Sequence, residues 1–127
     1  MFVVCPFKVI SDDAGVVLLV NPKEQIFVEK LKSLLRLGVV STRYKDVYDL
    51  FYLCSRVDIN MLGDCLRMYI FEDGAMLEND VRDIERRLGR IFSSKTFLKR
   101  MANPDYAWLD EPVETVVETL QEFFKGL

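Results

Sequence analysis

Two segments of the chain hold charged side chains that can meet at the edge of a core. The first contains Lys30, which lies about 100° from the centre of its helix's apolar face by helical-wheel geometry. The second contains Asp46 and Asp49, which are neighbours on one helix edge, and Arg43 one turn before them. If the two helices pack antiparallel, the ammonium and the carboxylates come together. Such a group either orders a charged site or is a structural ion pair between helices, and the pattern alone favours the ion pair.

Histidine is absent from the chain, and this absence excludes several classes of catalysis. Sites of the Ser-His-Asp or Cys-His type cannot form, and the commonest zinc ligand is missing. Any metal ion would have to be a hard cation held by carboxylates. The cysteines Cys5, Cys54 and Cys65 are odd in number and form no C-x-x-C pair, so we expect free thiols in a reducing cytoplasm.

The charge of the chain alternates in blocks. The formal net charge of −3 argues against indiscriminate binding to nucleic acid. Residues 23–56 and 82–100 are basic, whereas residues 57–81 and 105–125 are acidic. Alternating blocks indicate neighbouring helices that pair through their charges. In the alternative, the two basic blocks converge into an anion-binding face.

Two further groups have the chemistry for binding, but structural roles are the favoured interpretation. Arg82, Arg86, Arg87 and Arg90 share or border one helical face and are able to bind phosphate. We expect them instead to form a solvated face paired with the acidic C-terminal helix. Trp108 has the ring for stacking on a base, but we expect it to fill the core.

The apolar pattern predicts a mainly α-helical protein with an N-terminal β-hairpin. Residues 1–20 are rich in Val, Phe and Ile around a turn sequence, which predicts two strands. From residue 21 onward, the spacing predicts a bundle of about five to six helices. We expect residues 1–127 to form a single domain. No signal peptide is expected, and the longest apolar run is too short to span a membrane.

The predicted helix limits follow from capping and breaking residues. Pro22 opens the first helix and Gly38 ends it. Ser41 or Thr42 opens the second, which is predicted to run to about Arg56. The later helices are predicted to begin at Asp58 or Asn60, and to cover residues 76–88, 92–101 and 112–124.

Taken together, the two charged segments resemble the paired signatures of the AbiEii/AbiGii toxin family, nucleotidyltransferases related to DNA polymerase β. In that family an Ile/Leu-x-x-Glu-Lys-Leu helix precedes the pattern Arg-x-Lys/Arg-Asp-x-Tyr-Asp-Leu. The corresponding segments here are residues 26–31 and residues 43–50. The order of the motifs, the intervening loop and the helical tail extend the resemblance over residues 16–127.

The resemblance implies roles for individual residues. Lys30 matches the lysine that contacts the nucleotide phosphates, and Asp46 matches the downstream catalytic or structural acid. Supporting roles are implied for their neighbours in the same motifs, Glu29, Arg43, Lys45 and Asp49. Phosphoryl-type transfer needs cations on a polyphosphate and carboxylates that order the site, so these residue types suit the reaction.

The chain departs from the family at its first motif, a Gly-Ser or Gly-Gly-Thr turn followed by an Asp-x-Asp pair on a strand. Nothing in the chain matches it, because Asp12 and Asp13 fall in the predicted hairpin loop with no glycine turn before them. The resemblance therefore implies the C-terminal helical half of such an enzyme, inactive alone. No cofactor is expected for this chain alone, whereas Mg²⁺ and an NTP are implied for a complete family member.

The implied partners follow from the same resemblance. They are an N-terminal nucleotidyltransferase half or an antitoxin, with RNA such as tRNA as the acceptor of a complete enzyme. No membrane partner is expected. The alternative function is a helical protein–protein interaction or homodimerisation module without catalytic activity.

Overall fold

The computed structural model describes residues 8–11, 17–20 and 22–127, and within them the chain is mainly helical. Two short strands, β1 at Lys8–Ser11 and β2 at Val17–Val20, pair antiparallel. The predicted hairpin over residues 1–20 falls largely outside the described residues, so as a whole it stays a prediction.

Six α-helices hold most of the described residues, which agrees with the predicted number. They are α1 (Lys23–Leu37), α2 (Tyr44–Cys54), α3 (Ile59–Leu66), α4 (Val81–Phe92), α5 (Lys95–Met101) and α6 (Val113–Lys125). A 3-10 turn, Gly38–Val40, follows α1, and a π-helical turn, Arg67–Phe71, continues α3. Among the described residues, no helix combines the length and the hydropathy needed to cross a membrane.

Helix α1 packs against α2, α3 and α4 through the apolar face that its sequence predicts. The face is closed to solvent, with exposed fractions of at most 1% for Phe27, Val28, Leu31, Leu34 and Leu35. Burial of each such side chain contributes about 1.5–3 kcal/mol. Gly38 ends the helix as predicted, since its φ of 59° is a conformation that other residues rarely adopt.

The remaining helices close the bundle around α2. Helix α6 packs against both α2 and α4, and α5 contacts the same two helices. The buried hydroxyl of Tyr48 donates to the carbonyl of Met101 over 2.7 Å, which ties α2 to the end of α5. This hydrogen bond fixes the rotation of α2 about its axis and therefore the side that α2 turns toward α1.

Glu24 is a buried carboxylate that joins α1 to the start of α3. Its side chain is only 2% exposed, and Oε2 accepts a hydrogen bond of 2.8 Å from the backbone N–H of Asp58. The carboxylate thus satisfies a backbone donor at the start of α3 instead of one in its own helix. Asp58 itself caps α3, because its side chain accepts from the N–H of Met61 over 3.0 Å. Of the two predicted starts of this helix, Asp58 is correct.

The second helix starts later and ends earlier than predicted. It begins at Tyr44, and Ser41 accepts from the N–H of Arg43 over 3.0 Å without capping the helix. The 3-10 turn uses the residues before Ser41, so the chain needs further residues to reorient. The helix ends at Cys54 and does not reach Arg56.

Two later helix starts are also displaced, because a side-chain cap outweighs the apolar spacing. Helix α4 begins at Val81, since Asp80 accepts from the N–H of Asp83 over 2.9 Å. The predicted helical stretch before Val81 is therefore not helical. Helix α5 begins at Lys95, where Ser94 is the cap.

The cysteines are in different states. Cys54 is a free thiol, and burial raises its pKa above the usual value. Cys65 is disulfide-bonded, so the expectation of free thiols is wrong for that residue. Cys5 lies outside the described residues.

Candidate functional site

Lys30 of α1 and two carboxylates of α2 form a compact charged group where the helices meet. The ammonium Nζ lies 3.1 Å from Oδ1 of Asp46 and 2.9 Å from Oδ2 of Asp49. The side chain of Lys30 is 30% exposed, and those of Asp46 and Asp49 are 16% and 21% exposed. The spacing in the sequence predicts such a meeting of a lysine and an aspartate, and the structure confirms it.

Arg43 completes this group from the start of α2. Its Nε lies 3.5 Å from Oδ2 of Asp46, so each oxygen of that carboxylate faces a cation. With Arg43 and Lys30 as cations and Asp46 and Asp49 as anions, the formal charges of the group balance. The side chain of Arg43 is 53% exposed.

The electrostatics of the group keep Lys30 charged. Burial by itself lowers the pKa of Lys30, but hydrogen bonds from the ammonium to Asp49 and Asp46, together with the charges of both carboxylates, outweigh it. The pKa of Lys30 is therefore raised above its usual value. At neutral pH the residue acts as a fixed cation and not as a base.

An open groove runs along this group. It has a volume of about 340 Å³ and is lined by Ile26, Glu29, Lys30, Ser33, Arg43 and Asp46. A second depression shares Ser33 and Arg43 and adds Arg36 to its lining. A lysine ammonium has three N–H donors, of which the two carboxylates take two. One donor of Lys30 remains for an anionic or polar ligand in the groove.

The other two residues of the motifs take different places. Glu29 is exposed at the rim of the groove, where its carboxylate accepts from the side-chain amide of Gln25 over 3.2 Å. Lys45 is exposed on α2, and within residues 22–127 its side chain forms no ion pair. The structure therefore gathers Glu29 with the charged group and leaves Lys45 beside it.

The described residues do not fit a divalent metal ion. Nowhere in the part of the chain that the structure describes do three His, Cys, Asp or Glu side chains lie together as ligands. Asp46 and Asp49 both face the ammonium of Lys30. The positive charge of this ammonium would repel a metal cation placed between the two carboxylates. The carboxylates of this group are thus already paired with Lys30 and Arg43.

The arginines of α4 behave differently from the prediction. Arg82 pairs with Glu85, and Arg86 with Asp83, within the same helix. The expected pairing with the acidic α6 is wrong, because acids three residues away on α4 are nearer partners. The hydrogen bonds of the described residues include one from Arg82 to α6, which goes to the carbonyl of Lys125 over 3.3 Å.

Trp108 is the candidate residue whose burial the sequence does not predict correctly. It is 47% exposed and does not fill the core, so that expectation is wrong. Its ring centroid lies 5.5 Å from that of Tyr52, which is 40% exposed. The guanidinium of Arg56 covers the ring of Tyr52 at 3.8 Å. The sequence does contain a signal for this contact, because Tyr52 and Arg56 stand four residues apart and therefore share one helix face beside the motif of α2.

Comparison with protein families identifies the chain. The model of the nucleotidyl transferase AbiEii toxin of type IV toxin–antitoxin systems matches residues 2–121. The match includes both charged segments and begins earlier than the resemblance over residues 16–127. No curated protein and no solved structure shows significant similarity. The family that the motifs at residues 26–31 and 43–50 resemble is confirmed, and the chain belongs to the AbiEii family of nucleotidyl transferase toxins.

Proposed function

We propose that this chain provides the helical part of a nucleotide-phosphate site in an AbiEii-type nucleotidyltransferase. Lys30 binds the polyphosphate of an NTP, and Asp46 and Asp49 hold its ammonium in position. The observation that carries the proposal is the placement of Nζ at 3.1 Å and 2.9 Å from the two carboxylates, at the wall of an open groove.

The partial exposure of Lys30 distinguishes this role from that of a purely structural ion pair. A fully buried ion pair offers no donor to a ligand, because both of its charges are closed to solvent. Here the side chain of Lys30 is 30% exposed and retains a donor directed to neither carboxylate. Arg43, at 53% exposed, adds a second cation on the same groove. Two cations on one groove suit a polyphosphate, whose charge is spread over several oxygens.

The proposal assigns the metal-dependent step to residues other than those that the structure describes. The family's Asp-x-Asp carboxylates have no counterpart among them, and Asp46 and Asp49 already face Lys30. We therefore expect these 127 residues alone to bind nucleotide weakly and not to transfer it. Lys30 and Asp46 act together with carboxylates that another polypeptide segment supplies. RNA is the acceptor in this proposal, and the toxin–antitoxin family suggests an antitoxin partner.

A second candidate function is a module for protein–protein contact or homodimerisation. The observation that favours it is a set of exposed apolar side chains at the end of α1 and in the 3-10 turn, where Leu37 and Val39 are 51% exposed and Val40 is 75% exposed. Exposed apolar residues that are contiguous mark interaction surfaces. Under this function the charged group between α1 and α2 only stabilises the fold.

Calorimetric titration with an NTP and Mg²⁺ tests the proposal. The wild-type chain is compared with Lys30→Gln and with a matched control, Arg86→Gln, which removes an exposed cation on α4. We expect Lys30→Gln to weaken binding by roughly tenfold or more, because charge-assisted hydrogen bonds contribute about 1.5–3 kcal/mol. The control is expected to bind like the wild type.

Two outcomes contradict the proposal. Equal weakening by Lys30→Gln and Arg86→Gln would show that the binding is nonspecific attraction between charges. Absence of binding, combined with a stable dimer in light scattering, would favour the interaction module. In that case, substitution of Val40 by a charged residue is expected to dissociate the dimer.

A further inference from the structure

A row of exposed side chains continues along α2 from the charged group. Lys45, Tyr52 and Arg56 stand at intervals of seven and four residues, with Asp49 between the first two, so all four lie on one edge of the helix and its end. From Lys45 to Arg56 the row extends about 16 Å by the rise of an α-helix. We call these three side chains and Trp108 the aromatic edge. It begins beside the carboxylate that holds Lys30.

The rings of the aromatic edge form an unusual surface. Within residues 22–127, Tyr52 and Trp108 are the two exposed aromatic side chains, at 40% and 47%, and they contact each other. Their planes are tilted by 56°, so they present two faces instead of one flat sheet. The guanidinium of Arg56 stacks over Tyr52 at 3.8 Å and places a planar cation at the surface.

We infer that the aromatic edge binds single-stranded nucleic acid, with bases stacked on Trp108 and on the Arg56–Tyr52 pair and a phosphate on Lys45. Aromatic rings and guanidinium planes are the surfaces on which unpaired bases stack, and stacking tolerates any base because every base has a π-face. The length of the row accommodates a strand of a few nucleotides. That the bound strand is the acceptor of the transfer reaction rests on the proposed function, whereas the binding of a strand does not.

The charges around the rings support a strand running along α2. Lys45 and Arg56 are exposed and form no ion pair within residues 22–127. Nη1 of Arg56 donates to the carbonyl of Tyr52 over 2.6 Å and to Oγ of Ser55 over 3.2 Å, so Lys45 is the cation left for a phosphate. The Trp108 side of the surface is acidic, because the exposed Asp110 and Glu111 follow it in the chain. We therefore expect the phosphates to contact the α2 side and only the bases to contact Trp108.

The fluorescence of Trp108 reports on this surface directly, because Trp108 is the single tryptophan of the chain. A short single-stranded RNA of mixed sequence is titrated into the wild-type chain at low ionic strength. We expect saturable quenching, since a stacked base contacts the indole. Parallel titrations use free NTP and a duplex of the same sequence. A response to NTP at equal concentration and none to the strand would place a free nucleotide on the rings and overturn the inference.

Variants establish which side chains carry the binding, measured by the anisotropy of a labelled strand. Trp108→Ala and Tyr52→Ala are each expected to weaken binding roughly tenfold, in line with the loss of one stacked base. Trp108→Phe keeps an aromatic face and is expected to retain most of the affinity. Lys45→Ala is expected to reduce the slope of the logarithm of the binding constant against the logarithm of salt concentration by about one, because one phosphate contact is lost. Arg82→Ala, an exposed arginine on α4, is the control and is expected to change nothing.

The outcomes separate this inference from the proposed function. Lys30→Gln is expected to weaken NTP binding and to leave binding of the strand unchanged. If Lys30→Gln has no effect on NTP but Trp108→Ala weakens strand binding, the proposed function fails and the inference stands. Quenching that is absent, or anisotropy that is equal for the wild type, Trp108→Ala and Tyr52→Ala, would overturn the inference.

Discussion

Two regions of the molecule are rich in charge, and they use it in opposite ways. Between α1 and α2, Lys30 faces Asp46 and Asp49 of another helix, and these side chains are 16–30% exposed. On α4, Arg86 faces Asp83 of its own helix and is 69% exposed. In both regions a basic side chain pairs with aspartate. The difference is that the first group joins α1 to α2 beside a groove, whereas the second lies on the solvent-exposed surface of α4 alone.

Substitution of Lys30 is expected to give the largest change in stability. In Lys30→Met, Asp46 and Asp49 lose their shared cation while partly buried, and we expect the free energy of unfolding to fall by about 1–3 kcal/mol. The matched variant Arg86→Met is expected to change it by less than about 0.5 kcal/mol, because exposed pairs contribute little. Urea denaturation of both variants measures the difference. Equal effects would remove the distinction between the two regions.

Arg87 is expected to give an intermediate effect, although it belongs to α4. Its guanidinium donates to the carbonyl of Leu35 over 3.0 Å and lies against Gly38 at the end of α1. We expect Arg87→Met to lower the free energy of unfolding by about 1 kcal/mol, since the hydrogen bond joins two elements. Arg90→Met, on the same helix, is the control. A change for Arg87→Met as small as that for the control would show that the contact with α1 is not what matters.

The pH dependence of stability is expected to show a smaller effect. Burial lowers the pKa of Lys30, but its hydrogen bonds to Asp49 and Asp46 outweigh burial, so the folded-state pKa lies above the usual 10.5. The contribution of Lys30 is therefore fully present below about pH 10.5 and is lost as pH rises through the higher, folded-state value. The stability difference between the wild type and Lys30→Met is expected to stay constant near neutral pH and to shrink in strong alkali. A difference that grows with pH would contradict the assigned ion pairs.

The sequence predicts those features that depend on local chemistry. Pro22 and Gly38 set the ends of α1 because each has a conformational preference that the rest of the fold does not alter. The meeting of Lys30 with Asp46 follows from helical spacing and a short connection. Apolar spacing predicts too early a start for α4, because spacing alone does not account for the cap that Asp80 provides.

The sequence does not predict which element becomes the partner of an exposed side chain. Arg82 and Arg86 have acids both on α4 and on α6 within their reach in principle, and only packing decides between them. The sequence analysis expects Trp108 in the core, whereas it lies at the surface against Tyr52. Both errors concern tertiary contacts between elements far apart in the chain.

The central claim is that the group around Lys30, and not the arginines of α4, binds nucleotide phosphates. The most direct measurement is an NMR titration of the isotopically labelled chain with an NTP, in which backbone and lysine side-chain resonances are monitored. We predict shifts confined to residues 26–33 and 43–49, with the ammonium of Lys30 among the largest, and no shifts in residues 82–90. Shifts centred on residues 82–90, or none near Lys30 at saturating nucleotide, would contradict the account.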